Sequence, residues 1–130
     1  VIDWRAVLAV AAGAAIGGVV RMLVTQAVVA RAGAGFGWYA TAFINVSGSF
    51  LIGVVIETAQ TRAGAGPLWR AFLATGVLGG YTTFSTFSYE AFSLFGGGFG
   101  LTAIAYVAGS VALGIAGAFG GVATARALAP

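Results

Sequence analysis

Four long runs of the chain carry almost no charge: about Ala6 to Ala30, Trp38 to Ile56, Leu68 to Phe95 and Leu101 to Ala125. A helix needs about 20 mostly apolar residues to cross the hydrocarbon core of a bilayer, and each run offers roughly that length. Of the 130 residues, 7% are charged and 60% hydrophobic, whereas a soluble domain keeps about 25% charged to cover its surface. The chain is therefore expected to be an all-α integral membrane protein with four transmembrane helices.

Short connectors rich in turn formers join the runs: "RAGAGFG", "QTRAGAGP" and "GGGFG". Residues 1–130 read as a single transmembrane domain without linker or repeat. The first run resembles a signal-peptide core, but the apolar spans that follow favour a retained helix. With four crossings both termini share a side with Arg5, Arg62, Arg70 and Arg126, leaving Arg31 opposite. That bias leans towards cytoplasmic termini.

Residues that are missing exclude whole classes of chemistry. Histidine and cysteine do not occur, which removes the Ser-His-Asp and Cys-His arrangements, disulfides and most transition-metal sites. Asp3, Glu57 and Glu90 are the acidic residues, too few for a di-metal carboxylate centre. All six basic residues are arginine, scattered along the chain with no basic run, so nucleic acid is not an expected partner. An enzyme is not expected either.

The polar residues inside the runs fall into order. Gly13 and Gly17 form a GxxxG pair in the first run, and Gly76 and Gly80 another in the third. Such pairs let helix backbones approach closely. Thr41, Asn45 and Ser49 share one face of the second run at i, i+4 and i+8. Thr102, Tyr106 and Ser110 do the same in the fourth, followed by Gly114. Two such stripes suggest a shared polar track between helices. Arg21 and Glu90 lie within runs, where charge costs about 2.5–3.5 kcal/mol on insertion scales and so faces an interior or water-filled space. Arg21 fits either snorkelling to headgroups or a vestibule, and Glu57, at its helix end, is expected at the interface.

The third run contains "GGYTTFSTFSYE", residues 79 to 90. Adjacent glycines each lose about 1 kcal/mol against alanine in helix propensity, and the Thr and Ser that follow offer competing local hydrogen bonds. A helix break is expected here. Breaks at membrane depth are tolerated where the freed backbone is buried or lines a cavity, and freed carbonyls suit a small cation. Phe84 and Phe87 sit one turn apart, and ring edges carry weak positive charge that an anion can use.

"GGYTTFSTFSYE", with "NVSGSFLIG" and "GAAIGGVVR" upstream, closely resembles the CrcB/Fluc family of bacterial fluoride channels, over essentially the whole chain. The resemblance implies a passive fluoride-export channel of the bacterial plasma membrane. It further implies an antiparallel, dual-topology dimer with two pores, whose partner is a second, inverted copy or a paired homologous subunit. A structural sodium ion at the dimer centre would be held by the backbone carbonyls of Gly79 and Thr82. By the same resemblance Phe84, Phe87, Asn45, Thr41, Thr83, Tyr106, Ser110 and Glu90 line the fluoride path, and Arg21 its vestibule. Three departures stand out: Gly114 where some members carry a further hydroxyl, Tyr81 where a smaller aliphatic residue is usual, and a pronounced arginine bias. The alternative is a small proton-coupled exporter of the four-helix dual-topology type, which would require a titrating carboxylate in the first run; beyond Asp3 at its start there is none.

Overall fold

The computed structural model describes residues 1–61 and 66–129, and Arg62 lies outside them. Helix α1 spans Trp4–Ala32. The Asp3 side chain starts it by accepting a hydrogen bond from the Arg5 N–H at 3.0 Å, which satisfies one of the otherwise orphaned first-turn donors. Gly33 ends it at φ 98°, a conformation that side chains rarely adopt, and its N–H closes on the Val29 carbonyl at 2.8 Å. A short 3-10 turn, Ala34–Phe36, leads into α2, Gly37–Thr61.

The third expected span is not one continuous helix. Pro67 opens α3 (Pro67–Arg70), where its missing N–H costs nothing. A π-helical stretch, Ala71–Leu78, follows, and then one turn of α4, Gly79–Tyr81. Thr82 and Thr83 are extended (φ −78°, ψ 158° and φ −151°, ψ 121°) before α5 begins at Phe84 and runs to Gly96. The last helix, α6, spans Gly100–Ala127. Among the described residues three helical stretches are long and apolar enough to cross a membrane, Trp4–Ala32, Ala34–Gln60 and Gly100–Ala127. The break expected around the glycines falls just after them: Gly79 and Gly80 stay helical, and the two threonines carry the extended geometry.

Glycine explains how these helices pack. A methyl group at Gly13 would run into the Phe72 carbonyl, one at Gly17 into the Val77 carbonyl, and one at Gly80 into the Ala14 backbone. The paired glycines of α1 and of the π-helix–α4 segment thus face each other and bring the backbones into contact. A second seam, not singled out in the sequence, joins α2 to α6. There Gly53 faces the Ala118 carbonyl and Gly121 the Phe50 carbonyl. Ala40, Ile44 and Tyr81 form the small buried core, with Val24 and Val28 packed against it. Large apolar side chains such as Leu8, Leu23, Leu101 and Phe119 point outward, as lipid-facing helices require.

Glu57, near the end of α2, is buried within the protein at 8% exposure and accepts from two of the Arg126 nitrogens, Nε and Nη2. The Nε–Oε1 distance is 2.9 Å. This bidentate pair ties the end of α2 to the end of α6, and burial of the carboxylate makes the partner necessary.

The two adjacent glycines of α1 give a direct test of the packing. Gly17→Ala should destabilise the protein by about 1–3 kcal/mol, because the added carbon meets backbone that cannot step aside. Gly18→Ala meets nothing within 4 Å and should be neutral or slightly stabilising. Thermal unfolding in detergent measures both.

Candidate functional site

The site is built around the break. Where a continuous helix would send the Thr83 N–H to the Gly79 carbonyl, it goes to Asn45 Oδ1 at 2.9 Å. Asn45 Nδ2 in turn donates to the Thr83 carbonyl at 2.9 Å. One side-chain amide from α2 thereby pairs with both backbone groups of an extended residue, as a neighbouring strand would. The Thr82 hydroxyl turns back to the Leu78 carbonyl at 2.9 Å, and the Thr83 hydroxyl caps α5 by accepting from the Thr86 N–H at 3.3 Å. Much of the polarity of this motif therefore serves the backbone it interrupts.

A cavity of about 370 Å³ opens beside the break, lined in part by Asn45, Gly79, Thr82, Phe84, Phe87 and Ser110. Among the described residues no charged side chain lines it. The Ser110 hydroxyl is buried and, among the described residues, has no protein hydrogen-bond partner. A buried hydroxyl left open costs about 1–3 kcal/mol, and this one belongs to a residue that lines the cavity. The two phenylalanines differ in their surroundings: Phe87 is 9% exposed and Phe84 78%. Their ring centroids lie 5.7 Å apart at 40°.

Thr41, Glu90 and Tyr106 make a second centre on the far side of Phe87. Glu90, half-buried on α5, accepts from the Thr41 hydroxyl at 3.0 Å and from the Tyr106 hydroxyl at 2.7 Å, one on each carboxylate oxygen. Thr41 is 3% exposed and Tyr106 5%. The Phe87 and Tyr106 rings, 5.1 Å apart, connect this centre to the cavity. Each stripe thus divides: Asn45 and Ser110 reach the break cavity, Thr41 and Tyr106 the carboxylate. Ser49 points back along its own helix to the Asn45 carbonyl at 2.7 Å. Gly114 stands opposite the Ser49 hydroxyl.

Arg21 turns inward. Its Nη1 lies 3.4 Å from the Thr82 carbonyl, so the guanidinium addresses the last carbonyl before the extended pair. Tyr81, the bulky departure, is accommodated: its ring packs in the core and its hydroxyl pairs with Ser47 at 3.0 Å, while the neighbouring Gly48 leaves room for the Thr82 methyl. This Ser47–Tyr81 pair was not visible in the sequence, because Ser47 lies off the stripe that carries Asn45.

Backbone carbonyls at the break also bear on whether a hard monovalent cation fits. The Gly79 carbonyl has lost its helical donor to Asn45, and neutral carbonyl oxygens suit such an ion. Thr82 offers a second, shared with Arg21. Two oxygens are too few for one ion, so a cation here fits only if a second copy supplies an equal set.

A family model described as CrcB-like protein, Camphor Resistance (CrcB), matches residues 8–122. The chain belongs to the CrcB family. Similar proteins include one from Rhizobium meliloti (strain 1021), named fluoride-specific ion channel FluC, 48% identical over 122 residues, or 94% of this chain and 97% of its own length. A Roseiflexus sp. (strain RS-1) protein of the same name is 43% identical over 122 residues, covering 94% and 98%. Another, from Methylobacterium sp. (strain 4-46), is 50% identical over 110 residues, covering 85% and 87%. These relatives of the CrcB-family chain are named as channels, not as enzymes.

Loss of the amide should undo the break. Asn45→Ala leaves the Thr83 N–H without its partner, at about 1–3 kcal/mol for a buried group left open, while the Thr83 carbonyl keeps the first helical bond of α5. The variant should unfold at clearly lower temperature than the wild-type CrcB-family protein, and an unchanged midpoint would contradict the pairing.

Proposed function

We propose that this chain is one subunit of a fluoride-selective channel that lets fluoride leave the bacterial cell passively down its electrochemical gradient. The names of its relatives support the ion. The single structural observation that carries the reading is the cavity at the break, lined among the described residues by no charged side chain and by Asn45, Ser110 with its unpaired hydroxyl, and two phenylalanine rings. In this reading the two pieces of the third segment together make the fourth crossing. A second copy in inverted orientation, or a paired homologous subunit, completes an antiparallel dimer with two pores.

Fluoride is small and strongly hydrated, and removing its water costs tens of kcal/mol by Born-type estimates. A pore must replace that water with donors yet bind weakly enough to release the ion. Ser110, Asn45 and the ring edges of Phe84 and Phe87 meet that need without a fixed cation. Phe84, largely exposed in the single chain, is free to face the path of a neighbouring copy. Thr41 and Tyr106 hold the Glu90 carboxylate by its two oxygens, which offsets part of its charge. Arg21, beside Thr82, supplies positive potential at the entrance. A structural sodium ion, held by Gly79 and Thr82 carbonyls of both copies, would supply a fixed charge that locks the two broken segments together.

Proteoliposomes loaded with fluoride test this. Downhill fluoride efflux should be fast, chloride should stay inside, and a pH gradient alone should not drive fluoride uphill. Phe84→Ile and Phe87→Ile should each lower flux at least about tenfold, the equivalent of ~1.4 kcal/mol on the barrier, while dimers still form. Uphill fluoride transport driven by protons would establish the exporter instead. Wild-type flux in both variants would remove the rings from the path.

A further inference from the structure

Tyr106 is gripped on two sides. Phe87 is one, at 5.1 Å and 54°. The other is Trp38, in the first turn of α2, whose ring meets that of Tyr106 at 5.5 Å and 64° in an edge-on arrangement. Trp38 is itself backed by Tyr39, stacked at 3.7 Å and 25°. It lies on the same face of α2 as Thr41 and Asn45, at i, i+3 and i+7. The face that holds the carboxylate and clamps the break therefore begins with an indole, which neither stripe in the sequence included.

We propose that Trp38 is a positioning residue of the Glu90 centre. A tyrosine hydroxyl sits at the end of a long lever, so a small ring rotation carries it out of hydrogen-bond reach. The Tyr106 hydroxyl is 2.7 Å from Glu90 Oε2. Phe87 restrains one side of the ring from α5, the same element that carries Glu90. Trp38 restrains the other from α2, the helix that also supplies Thr41 to the same carboxylate. The two donors to Glu90 are thus kept in register by α2, directly through Thr41 and through the indole on Tyr106. Edge-to-face pairs prefer this geometry beyond the area they bury, so another aromatic residue should serve and an aliphatic one should not.

The flux part of the test rests on the fluoride-channel reading; the spectroscopic part does not. In proteoliposomes Trp38→Leu should lower fluoride flux about tenfold, while Trp38→Phe, which keeps an edge, should stay within about threefold of wild type. In a Tyr106→Phe background, which lacks the hydroxyl, Trp38→Leu should add less than about twofold, since the two act through one contact. Independently of any ion, Trp38 can be made the sole tryptophan by Trp4→Phe and Trp69→Phe. Replacing Tyr106 with Leu should then shift its emission. An unchanged emission would overturn the proposal, as would wild-type flux in Trp38→Leu, equal damage from Trp38→Phe, or effects that multiply in the double variant. Should Trp38→Leu fail to fold, the Trp38→Phe flux and the emission measurement still decide. If wild-type vesicles pass no fluoride but the emission shifts, the channel reading fails and the Trp38–Tyr106 contact stands.

Discussion

The pairing of one asparagine side chain with one residue's backbone holds the site together. An interrupted helix exposes donors and acceptors that, within a membrane, have nowhere to go unless protein receives them. Asn45 pairs with both groups of Thr83, and so allows two residues to leave helical geometry without stranding the Thr83 N–H. The Gly79 carbonyl loses its helical donor, α5 starts afresh with its own cap, and a cavity forms where a continuous helix would have filled space.

The remaining packing sets Asn45 and Thr83 at the right distance. On one side the α1 glycines press the π-helix and α4 against the backbone of the first helix. On the other, Tyr81 fills the core between Ala40 and Ile44 and fastens to Ser47, three residues before which the same helix buries Ile44. The Glu57–Arg126 pair fixes the opposite end of α2 to α6. With α2 so anchored, its polar face reaches two places at once, the break through Asn45 and the Glu90 carboxylate through Thr41. The chain uses few polar groups, and many of them have two tasks.

Much of this was legible in the residues, because membrane helices announce themselves by length and hydropathy. Three of the four runs appear as helices close to their expected limits. The glycine pairs packed as GxxxG spacing suggests. Fine placement was harder to read. The glycines of "GGYTT" looked like the break itself, but helix propensity competes with tertiary packing: Gly80 is held helical against Ala14, and the interruption moves to the threonines that Asn45 can reach. Likewise, period alone put Thr41 and Asn45 on one face but could not say that they serve different partners. The partner of Glu57 was not legible, because Arg126 lies 69 residues away in the chain, a separation that no local pattern reports. The π-helical turn over Ala71–Leu78 has no sequence signature that we can name.

The most direct measurement of the account is the backbone conformation of the interrupted segment in a lipid bilayer, read by solid-state NMR chemical shifts of labelled threonine and glycine. Extended shifts at Thr82 and Thr83, with helical shifts at Gly79 and Gly80, are expected. Helical shifts running unbroken from Gly79 past Thr83 would contradict it.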